Sequence, residues 1–151
     1  MGQFADLVGD WAKETEARLT AVWRGSIDML ADEMTTTRAN GGRLPILTGN
    51  LMRSLLASTS AMPETGEADA QYVGQDIGSI TASLTTDQTV WIGYQAIYAR
   101  RQNYGFVGVD SLGRNYNQEG AHFAEGAVAL WPTIVALVAE DIKAKVVARG
   151  R

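Results

Sequence analysis

No cysteine occurs in the 151 residues, and His122 is the sole histidine. The first absence excludes disulfides, thiolate nucleophiles and thiolate metal sites together. The second leaves a hydrolase triad or a two-histidine metal pair without its parts, and no G-x-S-x-G elbow surrounds any serine. A G-x-x-x-x-G-K-[ST] phosphate loop is missing, and the acidic residues do not fall at calcium-loop spacing. Excess positive charge is also missing: 13 basic residues stand against 17 acidic ones, for a net charge of −4. A sequence-independent grip on nucleic-acid phosphates needs a concentrated basic face, which this balance does not provide. The longest uncharged run, GAVALWPTIVALVA at 126–139, contains Pro132 and falls short of the about 20 apolar residues of a membrane span. A buried helix is the expectation there. The N-terminus, MGQFADLVGDWAKE, shows no signal-peptide pattern, and Asp6 breaks the myristoylation motif that Met1 and Gly2 would open.

What is present is a globular composition, 46% apolar, in a length suited to one domain over 1–151. Phe4, Leu7, Val8, Trp11, Leu19, Val22, Trp23, Ile27, Leu30 and Met34 recur at three- and four-residue steps, which predicts a long helix over 4–37. Glu14 and Arg18 form an acid-before-base pair on it, and Gly25 marks a bend or a close contact. At 1.5 Å per residue such a helix is on the order of 50 Å long, against about 30 Å for the width of a compact domain. Part of it must project or pack on another chain.

The stretch LPILTGNLMRSLLAS at 44–58 reads as a capped amphipathic helix. Pro45 excludes helix just before it, Thr48 is the expected N-cap, and Leu47 with Met52 forms a hydrophobic staple. Leu51 with Leu55, and Met52 with Leu56, would share its apolar face, leaving Arg53 exposed. Thr48→Ala is then expected to cost roughly 0.5–2 kcal/mol, and Arg53→Ala almost nothing.

Period-two alternation at Ile80, Ala82 and Leu84, resuming at Val90 and Ile92, predicts a hairpin, with a third strand near 70–73. A short helix over 96–104 and an extended arm over 105–118 follow, with a type I turn at 110–113. The last helix is expected over 121–147, kinked at Pro132, with Lys143, Lys145 and Arg149 suiting its C-terminal dipole. The fold class expected is α+β: a small antiparallel sheet flanked by a long N-terminal helix, a short helix and a long C-terminal helix.

Candidate chemistry is sparse. Glu14 and Glu16, two apart on a helix, cannot face each other as a catalytic pair. His122 beside Phe123 at a helix start reads as a cap or a packing group. Arg100 and Arg101 among Tyr98, Tyr104 and Phe106 have the makings of a base-stacking platform, although core aromatics beside solvated arginines explain them as well. No enzyme, cofactor or metal is expected.

Three segments, in order, resemble the neck and tail-completion proteins of long-tailed bacteriophages, prophages and gene-transfer agents. The first is LTGNL at 47–51 followed by RSL at 53–55, similar to the family's TGNLRRSL-like helix start. The second is VWIG at 90–93, then IYA at 97–99 and NYGF at 103–106, where the family usually carries an acid at the place of Asn103. The third is His122 and Phe123 with Ala127, where proline-phenylalanine and then arginine-proline are more usual; AEG at 124–126 departs from that. The resemblance spans about 5–147. It implies a structural virion protein at the head–tail junction, made in the host bacterial cytoplasm. Its partners would be copies of itself in a ring of about six, a head–tail connector or stopper, and a tail terminator or tail tube protein. DNA would pass through the channel without specific binding, and no membrane is involved. Candidate partner contacts are Arg53, Arg100, Arg101, Phe106, Val107 and Val109. A tail terminator capping the tube is the nearest alternative. A nucleic-acid-binding accessory protein using Arg100, Arg101, Arg114 and the basic C-terminus is the alternative of a different class.

Overall fold

The computed structural model describes residues 2–150. The elements in chain order are α1 (Gly2–Thr35), α2 (Asn50–Arg53), β1 (Leu55–Ser58), α3 (Ile77–Thr81), β2 (Trp91–Tyr94), α4 (Ala99–Tyr104), β3 (Gly105–Val109), β4 (Asn115–Glu119), α5 (Phe123–Ala129) and α6 (Trp131–Arg149). The fold is α+β, with β1–β2 and β3–β4 as two separate two-stranded antiparallel sheets.

α1 stops where threonines compete for its last carbonyls: the Thr35 hydroxyl donates to Ala31 O at 3.0 Å and Thr36 to Asp32 O at 2.7 Å. The chain then folds back through a 3₁₀ turn at Arg38–Asn40, closed by Arg38 N–H on Leu44 O (3.1 Å) and Leu44 N–H on Thr36 O (3.2 Å). That return delivers Leu44, fully buried, into the core.

The segment expected as one helix over 48–58 is a single turn followed by a strand. Helix ends at Arg53, and the buried Ser54 hydroxyl donates to Leu51 O at 2.7 Å. From there burial alternates, Leu55 and Ala57 inward, and β1 pairs antiparallel with β2 in the register Leu55↔Tyr94 and Ala57↔Ile92. An apolar pair such as Leu55 and Leu56 fits either period, and a distant strand decides it. Leu51 and Leu55 therefore enter different clusters: Leu51 packs with Leu44, Ala96, Ala99 and Phe123, and Leu55 with Ala31, Met34 and Ala127. The N-cap is Gly49, at φ 78°, not Thr48; Leu47 is 98% exposed, so the staple does not form.

No hairpin forms over 80–92. Ile80 and Thr81 belong to α3, because α1 claims this segment with polar side chains. The Thr81 hydroxyl donates to Asp28 at 2.6 Å, and Arg24 Nε donates to Leu84 O at 2.8 Å. Residues 70–73 form no strand; β1 is instead sealed by Gln75, whose Oε1 accepts from Ala57 N–H (2.7 Å) while its Nε2 donates to Ala57 O (3.1 Å). That side-chain amide does the work of a neighbouring strand at an open edge.

The last helix divides at Leu130 into α5 and α6, which meet at a 53° bend. Pro132 lies in the first turn of α6, where its missing N–H costs nothing, so it opens a helix instead of kinking one. Gly25 proves to be a contact point: a Cβ there would lie 2.8 Å from Cγ1 of Val138 on α6. Tyr94 joins the two clusters, its ring edge-on to Phe123 at 5.0 Å and its hydroxyl donating to Met34 O at 2.6 Å. Burial pushes that phenol's pKa well above its ordinary value.

Candidate partner surfaces

Two parts of the molecule reach beyond its core. The first is the leading half of α1. Its buried residues begin only at Ser26, and Phe4, Leu7, Val8, Trp11 and Leu19 are all exposed, Phe4 by 75% and Trp11 by 68%. Phe4, Val8, Trp11 and Leu19 fall on one face at helical spacing, a largely apolar stripe about 20 Å long that Thr15, its hydroxyl donating to Trp11 O at 2.8 Å, interrupts.

The second is the β3–β4 hairpin. The pairing Gly105↔Glu119 through Val109↔Asn115 assigns its two faces. Val107 (77% exposed) and Val109 look outward beside Asn115 and Asn117. Phe106 and Tyr116 lie on the other face, 6.0 Å apart, with the Arg101 guanidinium 4.6 Å over the Phe106 ring and Arg114 6.0 Å over Tyr116. Among the described residues no backbone hydrogen bond reaches the outer edge of either strand. The tip is a tight turn in which Asp110 Oδ1 accepts from the Leu112 and Arg114 N–H groups, each at 2.9 Å, and Gly113 takes φ 76°. The Arg114 backbone N–H holds the Asp110 carboxyl below its ordinary pKa, outweighing desolvation, with help from the Arg114 guanidinium, the Leu112 N–H and the Tyr116 hydroxyl.

The candidate residues from sequence therefore separate. Val107 and Val109 share the open face, and Phe106 is half-buried behind them under Arg101. Arg100 is exposed at the rim of an apolar cleft lined by Met62, Ile92, Tyr94 and Phe123. Arg53 is not the free surface cation expected: its Nε donates to Tyr72 O at 2.8 Å and its Nη1 to Thr48 O at 3.3 Å, tying the 70–74 loop to α2. Asn50 reinforces that tie, accepting from Tyr72 N–H at 2.8 Å and donating to Ala70 O at 3.0 Å.

His122 holds the N-cap position of α5 at φ 50°, yet its side chain makes no capping bond. Asn103 caps the helix from across the chain, and sequence reading missed this role. The only signal was its place in NYGF, where the amide stands instead of an acid. Glu125, on the first turn, has its pKa lowered: burial pushes it up, but its own N–H, the Asn103 amide, Tyr104 and the His122 ring together outweigh that.

Among the described residues no three metal-ligating side chains cluster, and no single helix is long and apolar enough to cross a membrane. No protein-family model, curated protein or solved structure matches the chain.

Proposed function

We propose that this protein is a structural subunit of the head–tail junction of a long-tailed bacteriophage or gene-transfer-agent particle. About six copies form a ring around the DNA channel, between a connector or stopper and a tail terminator or tube protein. The observation that supports this most is the β3–β4 hairpin. It is a two-stranded ribbon with open edges and two outward valines, Val107 and Val109. Such a ribbon is marginal alone in water, and its exposed edge is a template for another chain. The net acidic charge suits a channel lining that lets DNA slide.

The test is deletion of residues 107–114. The chain should still fold, since the core clusters lie elsewhere, but heads and tails should accumulate unjoined. Normal joined particles from the deletion reject the arm's role. A tail terminator would present similar surfaces, and loss of the gene separates the two readings: tails of normal length that stay free fit completion, whereas tails of irregular length fit a cap on the tube. The nucleic-acid reading has less support, because Arg101 and Arg114 each lie over an aromatic ring of their own chain.

A further inference from the structure

We infer that the open edge of β2 is the seat for the arm of a second copy of this chain, which adds its β3 there as a third strand and lays Val107 and Val109 over the cleft beside Tyr94. The inference deepens the ring reading above and rests on it for closure, but the contact itself is argued from two strand edges of this molecule.

The β1–β2 ribbon has one sealed edge and one open edge. Gln95 N–H donates to Ser54 O at 2.9 Å, and in this register bonded pairs alternate with unbonded ones. Ala57 and, on β2, Ile92 and Tyr94 therefore turn their N–H and C=O groups away from the partner strand. Gln75 takes up both groups of Ala57. Among the described residues nothing takes up those of Ile92 and Tyr94. A cleft runs along this open edge, lined by Ile92 and Tyr94 and, from the opposite face of the strand, by Gly93 and the Met62 packed over it, with Met34 and Phe123 behind. Free backbone groups beside an apolar cleft are the two requirements of strand addition.

β3 offers the matching edge. Asp110 N–H donates to Arg114 O at 3.0 Å, which fixes the alternation along the hairpin: 106 and 108 bond to β4, while Gly105, Val107 and Val109 turn their backbone groups outward. Residues opposite each other across an antiparallel pair put their side chains on the same face. With Val109 of the incoming strand opposite Ile92, and Val107 opposite Tyr94, outward groups meet outward groups. The same register brings both valines, 58% and 77% exposed in the single chain, to the face where Ile92 and Tyr94 line the cleft.

The arm's other edge does not fit. The outward positions of β4 are Asn115, Asn117 and Glu119, which would set two amides and a carboxylate over the same apolar surface. Within one chain β3 pairs with β4 alone, and β2 with β1 alone, so the incoming strand belongs to another copy. A contact between two different edges is heterologous, the kind that closes rings.

The chain's lack of cysteine makes the test direct. Two full-length variants, Ile92→Cys and Val109→Cys, are mixed at high concentration under mild oxidation, so that any 92–109 disulfide is intermolecular. The expected yield of the 92–109 dimer is at least tenfold above that with a control cysteine at exposed Ser60. It should fall at least tenfold when Val107→Asp is added to the second variant, with far-UV circular dichroism unchanged. Cross-linking no better than the control overturns the inference, and so does a yield indifferent to Val107→Asp. Preferential cross-linking of Ile92→Cys to Asn117→Cys overturns it by naming β4 as the occupant. Hydrogen exchange reads the contact on the unsubstituted chain: the Ile92 and Tyr94 amides should exchange at least tenfold more slowly in concentrated than in dilute protein, and rates independent of concentration overturn the inference. None of these outcomes depends on whether the protein occurs in particles, so failure of the contact and failure of the virion reading are distinguishable.

Discussion

Asn103 caps the helix that starts 20 residues later, its Oδ1 accepting from the Ala124 N–H at 3.0 Å. The same amide donates from Nδ2 to Glu125 at 2.7 Å, and the backbone carbonyl of Asn103 accepts from His122 N–H at 2.9 Å. One residue of α4, with only 4% of its surface exposed, thus sets where α5 begins.

Removing that amide should be costly. Asn103→Ala leaves a part-buried helix-terminal N–H without its cap, and the expected loss is about 0.5–2 kcal/mol. Asn103→Asp keeps the acceptor but turns the donor facing Glu125 into a second carboxylate, so it should also destabilise at pH 7. That loss should shrink on acidification, as one of the two carboxyls takes a proton. Urea melts at pH 7 and pH 4.5 check this; an aspartate variant as stable as the parent at pH 7 contradicts it.

The structure reverses the order expected for Thr48 and Arg53. The Thr48 hydroxyl accepts only a 3.3 Å contact from Asn50 N–H, at the turn before the helix, so Thr48→Ala should cost well under 1 kcal/mol. Arg53→Ala removes a charged donor from Tyr72 O and should cost about 1.5–3 kcal/mol. Denaturant midpoints of the two variants measure the ranking directly.

The reason for that reversal also marks how far the sequence could be read. Strong local periodicity revealed α1, and the combination of Asp110 and Gly113 revealed the hairpin turn. Proline marked the break between the last two helices, though as the start of α6 and not a kink. What escaped was non-local. Nothing near Leu55 announces that β1 pairs with a strand more than thirty residues away, and nothing near Thr81 announces that Asp28 will hold it in a helix. Likewise Asn50, Arg53, Gln75 and Asn103 look like surface polar residues until the backbone they brace is in place. Of the exposed surfaces, the overreach of α1 was legible from its length and the 105–118 excursion from the turn at Asp110 and Gly113. Which face of the arm opens outward followed only from its register.

The tip of the hairpin should respond to acid. The Asp110 pKa is depressed in the folded chain, so the carboxylate's contribution is present above its unfolded pKa of about 3.9 and is lost as pH falls through the lower folded value. The amide resonances of Leu112 and Arg114 should titrate together below about pH 4. Asp110→Asn should remove that transition while leaving β1–β2 signals unmoved. Titration of those two amides near neutral pH would contradict the assignment.

The hairpin's base depends on close backbone approach. A Cβ on Gly120 would lie 2.5 Å from Asn103 O, and Gly105, paired with Glu119, takes φ 85° with no room for a Cβ against Gln118 O. Gly120→Ala should raise hydrogen exchange across 105–119 while leaving α1 and α6 protected near parental levels. Uniform loss of protection throughout the chain would show that the hairpin is part of the global unit and not an arm joined at its base.

The central claim is a place in the particle, and immunogold electron microscopy of purified particles tests it most directly. With a small epitope on the full chain, the account predicts label confined to one position per particle, between head and tail. Label along the tail or over the capsid, or its absence from intact particles while the protein remains in the soluble lysate, would contradict it.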